Sequence, residues 1–429
     1  MRRKAYSGRR VNEIDVQRLC QGHGDAPAWA GVDVGKYEMR LVVQWDAQEF
    51  ERPWLIRNPL EVRVAVQKLK ELAAGRKLVV AMEPSGTYGD ALRQAVSDAG
   101  LVLERVSPKA AHDHAETFDG VPSQHDGKDA AVVADLSRIG HGKRWAFAPP
   151  SPWEQELELW VDRADARRRI LQLWSGRLEG RLARHWPEVI QQLKVHSPTL
   201  LKSLLEYGGP DRLGEDPKAA QKLGSFGGRY LSSERIAQVI QGAQQTVGVR
   251  LTELERLRLR EYASAALEAR EQLKQARSQL ARLARQRPEL EAMGQVVGKA
   301  TACVLWVYLG APAQYHCPAA YVKAMGLNLK ERSSGVFKGK LKITKRGFSA
   351  VRYWMYLAAL RWCRREPVRA WYEAKKAKDE NKGARALVGI MRRLGLALHA
   401  VGGQGRAFEP RRLFGGGGRR RKGRCSTAA

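Results

Sequence analysis

Cysteine is scarce in this chain of 429 residues: Cys20, Cys303, Cys317, Cys363 and Cys425 lie far apart, with no Cys-x-x-Cys among them. That spacing argues against a structural zinc site and against a disulfide framework, and makes a reducing cytoplasm the expected setting. Long apolar runs are missing too. No stretch approaches the roughly 18 consecutive apolar residues of a spanning helix, and the basic start lacks the apolar core of a secretory signal. Negative charge is in short supply: 45 Asp plus Glu face 75 Lys plus Arg, a net +30. Solubility needs only a modest excess. A balance this positive points to a polyanionic partner, nucleic acid first among them, and away from a membrane.

What the chain does have is a set of acids in apolar settings. Asp33 stands in Ala30-Gly-Val-Asp-Val-Gly-Lys36, flanked by valines. A carboxylate among strand-forming residues is costly to desolvate unless a cation or a donor satisfies it. Glu83 closes the run Lys77-Leu-Val-Val-Ala-Met-Glu83 just before Pro84-Ser-Gly86. Asp126 and Asp129 follow in Ser123-Gln-His-Asp-Gly-Lys-Asp-Ala130. Spaced three apart on a helix, they share a face. Acids at a helix start are favoured by its dipole without further role, but with Asp33 and Glu83 upstream the reading shifts to a divalent-cation site. Mg2+ is the expected ion, because it takes hard oxygen ligands together with phosphate oxygens. His112, His114 and His125 are nearby alternatives, read as surface or phosphate-contacting residues.

Five regions emerge in order. Residues 1–29 carry Arg2, Arg3, Lys4, Arg9 and Arg10 with no apolar period and read as a basic arm. Residues 30–147 read as an α/β domain, with strands at Ala30–Val34, Met39–Trp45, Arg52–Ile56, Lys77–Met82 and Leu101–Val106 and helices at Leu60–Leu72 and Tyr88–Ala99. Pro149, Pro150 and Pro152 mark a boundary to a helical region, 148–290. There Leu259, Tyr262, Ala266, Ala269, Leu273, Ala276, Leu280 and Leu283 keep a strict 3-then-4 spacing, which predicts a coiled-coil seam. Its partner is either another copy of the chain or the helix of residues 153–186 folding back.

Residues 291–408 read as a mainly α domain. Met293-Gly-Gln-Val-Val-Gly-Lys299 has the form of a helix-hairpin-helix turn, whose backbone amides and Lys299 suit a phosphate. A polar loop holds Arg332 and Ser333-Ser334-Gly335, and Lys338, Lys340, Lys342, Lys345 and Arg346 follow within a few residues. A serine beside glycine in a basic segment can place its oxygen near a bound phosphate, although such tripeptides are common in loops. Amphipathic helices are predicted over Phe348–Arg364 and Lys382–Ala400. Residues 409–429 form a basic Gly/Arg tail.

The order of these signals resembles the insertion-sequence transposases of the IS-one-ten type, the DEDD transposases related to the Piv DNA invertases. The residues that carry the resemblance are Gly31-Val-Asp33-Val-Gly-Lys36, Glu83-Pro-Ser-Gly86-Thr-Tyr88 and Asp126-Gly-Lys-Asp129-Ala130, then Gly326-Leu327, Ser333-Ser334-Gly335 and Ile343-Thr-Lys345-Arg346-Gly347. They span the chain from Ala30 to about Ala400. Thr344 stands where the family often has serine, and the insert between the halves is long. The resemblance implies an α/β RNase H/RuvC-like N-terminal domain, a helical coiled-coil region, and a mainly α C-terminal transposase domain. It implies that Asp33, Glu83, Asp126 and Asp129 are an acidic tetrad holding Mg2+, and that Ser334, or adjacent Ser333, attacks DNA to form a covalent phosphoserine intermediate. Partners implied are donor and target DNA, a structured noncoding guide RNA from the element, and further copies in a homodimer or tetramer, in the nucleoid-associated cytoplasm of a prokaryote. Two other readings use the same residues: a RuvC-like endonuclease that activates water, and a non-catalytic nucleic-acid-binding protein whose acids are remnants.

Overall fold

Alternation along the first strands decides which face of the sheet each side chain joins. Ala30 and Val32 are completely buried on one side of their strand, while Gly31 and Asp33 belong to the other. The computed structural model describes residues 7–46, 49–84, 86–120, 125–330, 333–334, 337–338, 342–379 and 382–415, and divides into the units Met1–Pro149 and Pro150–Ala429.

The first unit runs β1 (Arg9–Arg10), α1 (Val16–Cys20), β2 (Ala28–Val34), β3 (Glu38–Asp46), β4 (Glu49–Phe50), β5 (Trp54–Arg57), α2 (Val62–Ala73), β6 (Leu78–Met82), α3 (Asp90–Asp98), β7 (Val102–Arg105), α4 (Pro108–Asp119), α5 (Asp126–Arg138) and β8 (Lys143–Arg144). The sheet order is β1-β5-β3-β2-β6-β7-β8, with β4 added to β3. β2 and β5 lie antiparallel to β3, whereas β6 and β7 continue parallel to β2. One face packs Val32, Leu41, Val43, Val80 and Met82 beneath α2 and α3 through Leu69, Leu72, Leu92 and Val96. α5 covers the other face. Its Val132, Val133 and Leu136 meet Ala81, and Ala130 and Ala131 meet Val42.

The predicted strands and helices of this region fall close to the observed ones. Residues 7–29 differ from the expected basic arm. Arg9 and Arg10 pair in parallel with Trp54 and Leu55, and Val11, Ile14 and Val16 enter the core. Val11 opens a 3-10 turn, Ile14 follows it and Val16 opens a short helix, so no single period reveals them.

The second unit is mainly helical: α6 (Pro152–His185), α7 (Val189–Gln192), α8 (Pro198–Tyr207), α9 (Pro210–Glu215), α10 (Ala219–Gly227), α11 (Ser233–Gln244), α12 (Glu253–Ala284), α13 (Pro288–Val297), α14 (Lys299–Leu309), α15 (Pro318–Ala324), the two-residue strands β9 (Leu329–Lys330), β10 (Ser333–Ser334), β11 (Phe337–Lys338) and β12 (Lys342–Ile343), then α16 (Ser349–Trp362), α17 (Val368–Lys378), α18 (Gly383–Gln404) and α19 (Pro410–Phe414). Both long helices begin with a reciprocal capping box, Ser151 with Glu154 in α6 and Thr252 with Glu255 in α12. They run antiparallel. Leu157 and Val161 share a core with Leu280 and Leu283, and Leu178 and Leu182 share another with Leu259 and Ala263. Trp174 meets Tyr262 between these ends, ring centroids 5.2 Å apart. The apolar stripe of α12 is thus buried on the chain's own α6, the second of the two partners the spacing allowed. α18 has the length and hydropathy of a membrane span, but most of it is buried, with Ile390, Leu394 and Leu398 inside the core.

Candidate active site

Strand parity aims the acids. Gly31 and Asp33 on β2, Ala81 and then Glu83 at the end of β6, and Arg40, Val42 and Gln44 on β3 all belong to the face that α5 covers. In register, Val32 lies opposite Met82, so Asp33 and Glu83 follow one step later at the same end of two parallel strands. Arg40 stands directly across from Asp33.

α5 reaches this end because Gly31 has no side chain. A Cβ there would lie 2.1 Å from the Ala130 carbonyl oxygen and 2.3 Å from the Ala134 amide nitrogen, both helix backbone. Small residues on helix and strand let the two backbones nearly touch. That contact brings the first turn of α5, with Asp126 and Asp129, to the carboxyl ends of β2 and β6. His125 caps the helix, its Nδ1 accepting from the Gly127 amide at 3.1 Å.

The electrostatics register the convergence. Burial first, then Asp129 and Asp126, push the Asp33 carboxyl up to about 6 from an ordinary 3.8. Glu83 is raised by burial and then by Asp33 and Asp129. Asp129 is raised by burial and then Asp126, with Lys128 and His125 pulling the other way. Each is the response of a carboxylate that is first desolvated and then crowded by its own kind. The Arg40 guanidinium offsets part of this charge: it bonds Glu38 at 2.9 Å and lies 3.9 Å from Asp126. Arg40 escaped the sequence reading, since only the β2–β3 register places it opposite Asp33.

Among the described residues, no three His, Cys, Asp or Glu side chains are gathered tightly enough to hold a metal ion as they stand. The donor chemistry nevertheless suits a hard divalent cation: four carboxylates, three with proton affinity raised by burial and then by neighbouring carboxylates, and one guanidinium as internal counter-charge.

Two further groups brace the site. Asn58 Nδ2 donates to the Gly35 carbonyl at 2.9 Å and to the Tyr88 carbonyl at 3.0 Å, tying together the loops that follow β2 and β6. Asp135, buried on α5, accepts from Gln44 at 3.1 Å and Arg138 at 2.9 Å and pairs with His114 at 2.8 Å. Burial would raise its pKa, but these bonds outweigh it and hold the carboxyl below the ordinary value. His114, read from sequence as a surface or phosphate-contacting residue, therefore pins α4 to α5.

In the second unit, α13 and α14 turn by 119° at Gly298, whose φ of 86° is left-handed. Lys299 is already ion-paired there, with Glu291 at 2.9 Å. Two of the quoted sequence motifs meet: Ile343 pairs with Leu329, and the Lys345 amide donates to the Gly326 carbonyl at 3.1 Å. Lys345 has φ 57°, the left-handed region a non-glycine rarely adopts, and Lys342, Lys345 and Arg346 are exposed. Ser334 pairs with Phe337, and Ser333 with Lys338, in the β10–β11 ladder. The side chains of Ser333, Ser334 and Lys338, and the whole of Arg332 and Lys340, lie outside the described residues.

Asp33 has a signed consequence for stability. Between about pH 4 and about pH 6 the folded state binds more protons than the unfolded chain, so stability falls as pH rises through this window and the cost is complete above it. Asp33→Asn is expected to raise the melting temperature of the metal-free protein at about pH 8, with the gain gone near pH 4. Thermal melts in chelator at both pH values check this.

Residues 294–373 match a family model described as the Transposase IS116/IS110/IS902 family. The segment runs from the α13–α14 turn to α17, includes the β9–β12 strands, and is consistent with an IS-one-ten-type transposase. No curated protein matches the chain.

Proposed function

We propose that this protein cuts and rejoins DNA strands as an insertion-sequence transposase, with the first unit acting as an RNase H/RuvC-like phosphoryl-transfer domain. One observation carries the reading: Asp33, Glu83 and the first turn of α5, remote in sequence, come together at one end of the sheet, where, beyond the effect of burial, Asp129 and Asp126 raise the Asp33 carboxyl and Asp33 and Asp129 raise that of Glu83. The strand order β5-β3-β2-β6-β7, with β5 and β2 antiparallel to β3 and β6 and β7 parallel to β2, supports the RNase H-like part. The family match over 294–373 supports the transposase part.

Asp33, Glu83, Asp126 and Asp129 are the residues that would hold Mg2+. When bound, the ion supplies Lewis-acid stabilisation of charge on the phosphate. The protein's own residues do the rest. Ser334 Oγ forms a bond to phosphorus as the bond to the leaving deoxyribose oxygen breaks. The serine proton is lost to a base, and the leaving oxygen takes up a proton. Arg40 orients Asp126 and balances its charge. The reading requires serine and carboxylates to act on one phosphodiester. The strong positive charge fits a protein that grips donor DNA, target DNA and a structured guide RNA by their phosphates, leaving base pairing to read sequence.

The test is trapping. DNA carrying the element's ends, incubated with protein and Mg2+, is expected to give a denaturant-resistant protein–DNA adduct that Ser334→Ala removes. Cleavage without an adduct would mean that water is the nucleophile. Neither cleavage nor adduct would leave only a nucleic-acid-binding protein. Metal binding has its own readout: Mg2+ is expected to raise the melting temperature at about pH 8, by about 2.7 kcal/mol of stabilisation at a hundred times Kd, and Asp33→Asn to lose most of that rise. RNA sequenced from the purified protein is expected to contain one discrete species.

A further inference from the structure

A cleft of about 650 Å³ opens in the second unit between α6, α12 and α16, beside the segment that leads into α8. Two antiparallel helices line it with rows of the same spacing. α12 contributes Arg270, Lys274 and Arg277, and α6 contributes Arg168, Gln172 and Ser175, each row at i, i+4 and i+7 and so on one helix face.

The cations in this cleft are poorly matched by acids. Arg168 is committed to Asp165 at 2.8 Å, and Lys274 has only Glu271 at 3.8 Å. No ion pair with a carboxylate is described for Arg270 or Arg277. Arg270 donates instead to the His196 carbonyl at 3.1 Å, and Arg277 lies over the Trp354 ring at 5.5 Å. Tyr353 forms part of the wall, with the Arg168 guanidinium stacked 4.0 Å from its ring centroid. The buried Ser175 hydroxyl, also on the wall, has no hydrogen-bond partner among the described residues.

Arg270 and Arg277, without a carboxylate partner among the described residues and held by a backbone carbonyl and an aromatic face, are poised for an anion from outside. The rows run along the helices, which suits an extended polyanion better than a single small ion. We infer that this cleft binds the sugar–phosphate backbone of a nucleic-acid strand, with Arg270 and Arg277 each on a phosphate of that strand. The inference rests on the reading of the protein as a nucleic-acid enzyme.

The test is fluorescence anisotropy of the full chain with three labelled probes of equal length, single-stranded RNA, single-stranded DNA and duplex DNA, titrated over a range of salt. Each phosphate contact contributes about 0.7 to 0.9 to the slope of log K against log salt. R270Q/R277Q is expected to weaken binding to at least one probe by about tenfold or more and to flatten the slope by about 1 to 2. The probe most affected identifies the strand that occupies the cleft. R258Q/R285Q removes the same charge from exposed positions on and just beyond α12, outside the cleft, and is expected to change the slope much less. R270K/R277K, which keeps the charge, is expected to retain most of it. Matching thermal melts establish that the variants are folded. Equal effects of R270Q/R277Q and R258Q/R285Q would overturn the cleft while leaving the transposase reading intact. Absence of nucleic-acid binding by the unaltered protein would overturn both.

Discussion

Asp33→Asn is expected to lower strand exchange by about a hundredfold or more, on the scale of losing one preorganised group from a catalytic site. The substitution keeps size and shape but deletes the negative charge that Asp126 and Asp129 press against. Its signature is a pair of opposite effects. Activity falls, yet the metal-free protein becomes harder to melt above about pH 6, because the cost of an ionised Asp33 is gone. Loss of activity together with loss of stability would instead mark Asp33 as a structural residue. Ser334→Ala separates cleanly from this, since it is expected to remove the covalent adduct and leave the Mg2+-induced rise in melting temperature unchanged.

The second large effect is expected at Gly31. A methyl group there meets helix backbone at 2.1 Å and 2.3 Å, contacts that no rotamer change relieves. Gly31→Ala is expected to destabilise the protein by about 1–3 kcal/mol, the usual cost of overpacking, and Gly31→Val by more. The activity loss should exceed the stability loss. Any relief comes from lifting α5 off the sheet, and α5 carries half of the acids. Urea denaturation at low temperature and strand-exchange rates measured on the folded protein, compared across the two variants, separate these contributions. Equal activity of folded Gly31→Ala and unaltered protein would show that the position of α5 does not matter.

Both predictions start from residues visible in the sequence, but with unequal clarity. Asp33 and Glu83 stand out because a carboxylate amid apolar strand residues is costly to desolvate, Asp126 and Asp129 gain meaning only beside them, and the alternation around Ala30–Val34 and Leu78–Met82 is plain to read. Arg40 does not stand out. An arginine in an alternating strand is ordinary until the pairing register puts it across from Asp33. Gly31 is legible only as a glycine; its role depends on a helix that begins about a hundred residues later. At Lys299 the sequence shows a charge but not its partner. Its charge looked available for phosphate, but Glu291 lies on the far side of a sharp turn whose angle a linear reading does not supply. The α12 stripe announced a helical seam but not its partner, because heptad spacing is the same for a helix that meets its own chain and one that meets another.

The α6–α12 pairing also sets the timetable of synthesis. Leu157, Val161 and Ala164 near the start of α6 find their buried neighbours only at Leu273 and beyond, roughly a hundred residues further along the chain. At about 5–20 residues per second of translation, that surface waits on the order of five to twenty seconds outside the ribosome before anything covers it. A growing chain in that interval displays a long, half-finished helix to the cell, which makes holdase chaperones its natural first companions and any pause before α12 a hazard.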